Sequence, residues 1–180
     1  MEINYKNFNL HSFHKTLRKS YKSLINWGRK NLKIDNLKKG NCCFDAFREF
    51  QDFHAKIAGR KTRSDESWQI QYEMIEEGLA ELILARYNDS LVAGSLFVGY
   101  GATSIYFTGV YERDLFDYGL SHFLLYDGIC RSYERRHSSK FSLGYFDTDI
   151  TDPKWYNIQF FKKGFCENMT PIVFWSKEDL

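Results

Sequence analysis

Two arginines three residues apart, Arg60 and Arg63, lie between stretches of helical pattern, and two carboxylates, Asp147 and Asp149, closely follow a strand-like run ending at Phe146. A guanidinium presents its donors in a planar fork that matches a phosphate or a carboxylate. Arg60 and Arg63 are therefore candidates for holding an anionic group, or else solvated arginines on a connecting loop. A carboxylate just past a strand can take a proton from an amine or anchor it, and equally can cap its own loop. The histidines His11, His14, His54, His122 and His137 are scattered, and only His11 and His14 could share a helical turn, so no metal site is expected. The sequence has no Gly-x-Gly-x-x-Gly, Walker A, His-Glu-x-x-His or Gly-x-Ser-x-Gly pattern, which argues against dinucleotide binding, P-loop NTPase, zincin and common hydrolase chemistry.

The elements that must position these residues follow from the apolar pattern. Leu10, Phe13, Leu17, Tyr21 and Leu24 recur at spacings of three and four with lysines and arginines between them, predicting one amphipathic basic helix over 10–31. A short strand is expected over 32–37. A helix over 43–58 follows, with Ala46, Phe50, Phe53 and Ile57 as its buried stripe and Gly59 as its left-handed cap. Ser64, followed by Asp65 and Glu66, predicts the start of a further helix to about Glu77, with Trp68, Tyr72 and Ile75 inward. Three strands then form a meander, 80–85, 92–98 and 104–111, with Asn88-Asp89-Ser90 as a hairpin turn. Both faces of that meander are apolar, so helices should cover each side of a central sheet. A largely apolar helix over 119–136, a strand over 141–146, a short helix over 156–163 and a final strand over 170–175 complete the order. The fold class is α/β (α+β), β-α-α-β-β-β-α-β-α-β after the basic helix.

Composition supports this. The chain has 180 residues, 43% hydrophobic and 18% aromatic, enough for one packed core and too apolar for disorder. No apolar run approaches the roughly 20 residues that span a bilayer. With Cys42, Cys43, Cys130 and Cys166 lacking any Cys-x-x-Cys spacing, a soluble cytoplasmic protein with reduced thiols is expected. Charge is uneven: residues 1–40 hold ten Lys/Arg against Glu2 and Asp35, a net +8, and the remainder carries −6.

Several short blocks in this order resemble the FemAB-like branch of the GNAT acyltransferases. They are Ala58-Gly59-Arg60-Lys61-Thr62-Arg63 with Trp68 and Gln71 behind it, Leu91-Val92-Ala93-Gly94 after a polar turn, Phe141-Ser142-Leu143-Gly144, and Phe161-Lys162-Lys163-Gly164-Phe165. Together they cover roughly residues 40–176, and the β-α-α-β-β-β-α-β-α-β order is that of a GNAT domain. The resemblance implies a GNAT-like mixed, mostly antiparallel sheet flanked by helices over 32–180, preceded by the basic helix of 1–31. It implies transfer of an acyl or aminoacyl group to an amine of a cell-envelope or polysaccharide precursor by direct attack. Lys162 would stabilise the oxyanion, with Asp147 and Asp149 at the cleft mouth.

The donor, acyl-CoA or another acyl thioester or an aminoacyl-tRNA, would lie along Tyr111, Gly119, Leu120 and Ser121, and the acceptor along Arg60, Arg63, Trp68 and Gln71. No permanently bound cofactor is implied. Phe116 stands where the GNAT pyrophosphate loop has Gln or Arg, Asp117 beside it would repel a pyrophosphate, and Phe160 stands where many GNAT enzymes carry a tyrosine acid. Those departures suit an aminoacyl-tRNA donor, and equally a non-catalytic scaffold that acts as a binding module. The basic helix could bind tRNA phosphates. FemAB-like proteins usually pair two GNAT units, so a homodimer or a second unit on another chain is also implied.

Overall fold

The computed structural model describes residues 1–6, 8–136, 138–166, 169 and 171. The strand expected over 170–175 lies outside the described residues. Six strands form one sheet in the order β1-β6-β5-β4-β3-β2. They are β1 (Glu2–Asn4), β2 (Lys33–Leu37), β3 (Ala80–Tyr87), β4 (Ser90–Tyr100), β5 (Thr103–Tyr111) and β6 (Lys140–Ser142). All pairs are antiparallel except β5 with β6, which is parallel. The meander is as expected, and its hairpin turns at Asn88 and Asp89, both at positive φ (50° and 61°), the backbone of a type I′ turn whose twist matches the strands.

The helices are α1 (Leu10–Thr16), α2 (Lys19–Asn31), α3 (Phe44–Ala58), α4 (Asp65–Glu77), α5 (Leu120–Arg136) and α6 (Pro153–Lys163). Helices α3 and α4 cover one face of the sheet, burying Phe47, Phe50, Phe53, Trp68 and Ile75 on Leu82, Leu84 and Leu96. On the other face α1, α2 and α5 pack on Ile83, Ala93, Phe97 and Phe141. Apolar residues on both faces of the meander thus have cover on both sides, as their pattern required.

Four local expectations are corrected. The segment 10–31 is two helices: Leu17 is extended (ψ 149°) and Arg18 leaves the helical region (ψ 134°), and Leu17 and Tyr21, on either side of the break, are both buried. The buried stripe of α3 includes Phe47, with Ala46 and Ile57 only partly covered, and α4 turns Gln71 inward in place of Tyr72. The strand after α5 ends at Ser142, two residues before Gly144 adopts a left-handed φ of 86°. Strand β1 went unpredicted because three residues carry no periodicity; it exists through pairing with β6, Glu2 opposite Ser142. Among the described residues no helix is long and apolar enough to cross a membrane.

Candidate active site

Strands β5 and β6 pair only from Thr103/Lys140 to Ile105/Ser142. From Tyr106 onward β5 is paired with β4 alone, and a mouth opens in the sheet. The pairing of β5 with β4 shifts at the same place: Phe97 is opposite Tyr106 and Leu96 opposite Thr108, so Phe107 is the extra residue of a β-bulge. The bulge changes the phase of the strand. Tyr106 joins Phe97 on the α5 face, whereas Thr108 joins Leu96 on the α3 face.

Lys162 reaches this mouth from the last turn of α6. That helix begins where Asp152 Oδ1 accepts the N–H groups of Lys154 and Trp155, with Pro153 in its first turn. Its far end is tied to α2: Tyr21 donates its hydroxyl to Phe161 O (2.9 Å), and the Arg18 N–H reaches Gly164 O (3.4 Å). The Lys162 Nζ lies over the Tyr106 ring, 5.5 Å from its centroid, and 3.7 Å from where a Cβ on Gly144 would stand. It is half-buried and has no ion pair among the described residues. Burial lowers its pKa from the ordinary lysine value, since a low-dielectric site disfavours the charged form.

Beneath Lys162, Tyr111 lies 2.8 Å, hydroxyl to hydroxyl, from both Tyr106 and Ser95. Tyr111, expected near a donor, is therefore tied into the sheet interior. Burial raises the pKa of both tyrosines, keeping the phenols neutral.

Arg63 lies on the other face. It donates to Thr108 Oγ1 (3.0 Å), to His54 Nε2 (3.0 Å) and to Thr62 Oγ1 (3.4 Å), and lies over the Trp68 ring at 5.1 Å. An arginine can only donate, so His54 Nε2 accepts, and Nδ1 carries the proton toward Thr62 Oγ1 at 3.3 Å. Burial first, and the Arg63 charge second, lower the His54 pKa and keep it neutral. Arg63 thus has neutral acceptors and no carboxylate among the described residues, although it is half-buried. Trp68 is buried, its edge lining a groove of about 200 Å³ with His54, Thr62, Asp52 and Asp65. Gln71 is buried as well, so its side chain presents no surface to an acceptor; α4 turns that face toward the sheet. Arg60 is exposed.

Asp147 is exposed and accepts the Asp149 N–H (2.9 Å), a turn within its own loop, while its own N–H donates to Gln159 Oε1 (2.7 Å). Asp149 is exposed, and its carboxylate accepts from Thr148 Oγ1 at 3.3 Å. A 3₁₀ turn, Arg113–Tyr118, leads to Gly119, whose φ is 72°. The Gly119 carbonyl accepts the N–H groups of His122 and Phe123 at the start of α5, and a Cβ there would fall 2.5 Å from Leu24 Cβ. Leu120 is wholly buried and Ser121 half-buried. Tyr118 stacks on Trp27. The loop before α5 is thereby held against α2. Ser95, Tyr106, His54 and Thr108 were not singled out from sequence; each reads there as an ordinary helix or strand residue, and only the bulge and the packing of α3 give them their partners.

No protein-family model matches the sequence, and no curated protein matches it. Solved structures do match in fold. The structure described as FemX aligns with a TM-score of 0.71 at 15% identity over 92% of this chain, and the chain covers 57% of FemX. The aminoglycoside acetyltransferase meta-AAC0020, from an uncultured soil metagenomic sample, aligns at 0.58 and 12% identity over 83% of this chain and 97% of its own. AAC(6')-Iy, in complex with the bisubstrate analogue CoA-S-monomethyl-acetylneamine, aligns at 0.58 and 8% identity over 82% of this chain and 99% of its own. The chain has the GNAT acyltransferase fold, a six-stranded, mostly antiparallel sheet flanked by helices.

Proposed function

We propose that this chain transfers an acyl or aminoacyl group from a thioester or an aminoacyl-tRNA to an amine of a cell-envelope or polysaccharide precursor. The observation that carries the reading is the Lys162 ammonium, half-buried at the mouth between β5 and β6 without an ion pair among the described residues. An uncompensated charge in such a place is costly and becomes useful when a negative charge develops beside it. In this reading the acceptor nitrogen attacks the acyl carbon, and the carbonyl electron pair moves onto oxygen, where Lys162 donates a hydrogen bond. The tetrahedral species collapses by breaking the bond to the thiolate or the tRNA ribose oxygen. The proton lost by the amine ends on that leaving group.

Arg63 supports the same reading as an anchor for a carboxylate or phosphate on the acceptor, with Arg60 exposed on the same loop. For the donor, an aminoacyl-tRNA is favoured by the +8 charge of residues 1–40, and by a loop before α5 that carries Asp117 and is packed on Leu24. A pyrophosphate at the start of α5 would be repelled by the Asp117 carboxylate.

The test is transfer measured with wild type and Lys162→Ala against acetyl-CoA and a set of aminoacyl-tRNAs, with an amine-bearing envelope precursor as acceptor. A loss of about 100-fold or more in kcat is expected for the variant, the scale of removing one oxyanion donor. Full activity in the variant would overturn the role of Lys162. If wild type turns over no donor and none raises its melting temperature, the chain is a binding module that retains the fold without the chemistry.

A further inference from the structure

The Tyr106 ring under Lys162 is itself held in place. Its hydroxyl meets that of Tyr111 at 2.8 Å, and the Tyr111 hydroxyl meets Ser95 Oγ at 2.8 Å. Ser95 is wholly buried in β4. A proton passed along this chain would have no outlet, so the chain suits fixing a ring better than relaying charge. Room for it comes from Gly109, where a Cβ would fall 2.0 Å from Tyr106 Oη and 2.6 Å from Tyr111 Oη. Phe97 packs beside the Tyr106 ring, centroid to centroid 5.7 Å. Phe97 is in turn admitted by Gly128 of α5, where a Cβ would fall 2.1 Å from the Phe97 ring.

We propose that Ser95, Tyr111 and Tyr106, with Gly109 leaving space for the two phenols, form a rigid platform that positions the Lys162 ammonium at the mouth of the sheet. The inference rests on reading Lys162 as the oxyanion donor, and the three hydroxyl residues are positioning residues that act through it. A ring face attracts a cation through its quadrupole and needs none of the cation's hydrogen-bond directions. A carboxylate in the same place would neutralise the charge and occupy N–H donors. The platform therefore keeps Lys162 in place with its donors free. The Tyr106 phenol under the ammonium and the Tyr111 phenol bonded to it are kept neutral by burial, the N-terminal ammonium of Met1 donates to Gly144 O on the segment beside Lys162, and the lowered pKa of Lys162 itself is due to burial.

The experiment reads Lys162 directly and needs no substrate. The full chain is treated with sulfo-N-hydroxysuccinimidyl acetate over a range of pH, and acetylation of Lys162 is followed by peptide mass spectrometry, with exposed Lys154 as the internal control for reagent. In Tyr106→Leu the ammonium loses the attraction of the ring face while the site stays apolar, and the pH midpoint for Lys162 acetylation falls by about one unit. Tyr111→Phe and Ser95→Ala keep the Tyr106 ring but loosen it, and they give smaller falls. If Tyr106→Leu does not fold, the two milder variants decide. A midpoint that stays or rises in folded variants overturns the platform. Full transfer activity in Lys162→Ala would instead overturn the catalytic reading, whatever the acetylation profile shows.

Discussion

Tyr106 and Thr108 are two residues apart on one strand and face opposite sides of the sheet. On a regular strand they would share a face; the extra residue Phe107 reverses the phase between them. Lys162 lies over Tyr106 on one side, and Arg63 bonds to Thr108 on the other. Two half-buried cations, neither with a carboxylate among the described residues, thus flank one bulge, whose Phe107 is itself 54% exposed.

Arg63 should govern acceptor affinity. Arg63→Lys keeps the charge but loses the planar fork and the contact with Trp68, so KM for an anionic acceptor should rise about tenfold or more, a change of about 1.4 kcal/mol, with kcat little altered. Steady-state kinetics separates the two. An unchanged KM would remove Arg63 from the acceptor site.

Gly128→Ala should destabilise the fold although alanine favours helix by about 1 kcal/mol. The new Cβ would meet the Phe97 ring, and overpacking of this kind costs about 1–3 kcal/mol. Urea unfolding would measure it, and a variant more stable than wild type would show that Phe97 gives way freely.

His122 should tie stability to acid. It is half-buried against Tyr21, Phe161 and Phe165, its pKa is lowered to about 4, first by burial and then by the Arg18 charge, and its Nδ1 has no hydrogen-bond partner among the described residues. An unfolded histidine takes its proton near pH 6.5. Between those values the unfolded chain binds more protons, so the contribution is complete above about pH 6.5 and is lost as pH falls toward 4. The full loss is at most about 3 kcal/mol, and His54 and His14, also lowered, act in the same direction. His122→Phe should therefore lose less stability than wild type between about pH 7 and about pH 4.5, measured by urea unfolding at both. Equal losses would count against it.

Removing residues 1–31 should abolish folding. Phe13, Leu17, Tyr21 and Ile25 belong to the core and β1 completes an edge of the sheet, and burial of each such side chain is worth about 1.5–3 kcal/mol. Charge reversal at exposed Lys19 and Lys30 leaves that core intact. With tRNA, it should weaken binding and lower the slope of log affinity against log salt by about one for each phosphate no longer neutralised. An unchanged slope would exclude this surface from RNA binding.

What the sequence by itself determined is what short-range rules govern. Ser64 accepts the Ser67 N–H and starts α4, Gly59 and Gly78 take left-handed conformations that end α3 and α4, and Asn88-Asp89 makes the hairpin. Each needs only neighbours within a few residues. The ordered motifs also indicated the GNAT fold and singled out Lys162 and Arg63. The surroundings of those two cations were decided by the tertiary structure. The break at Leu17 and Arg18 has no breaker residue behind it, and Tyr21 just after it meets α5 and α6, whose residues lie more than a hundred positions away. The bulge at Phe107, the strand β1 and the Ser95-Tyr111-Tyr106 chain likewise depend on pairing and burial summed over distant segments. The residue types were legible in sequence, but their neighbours were not, because burial and pairing act between distant parts of the chain.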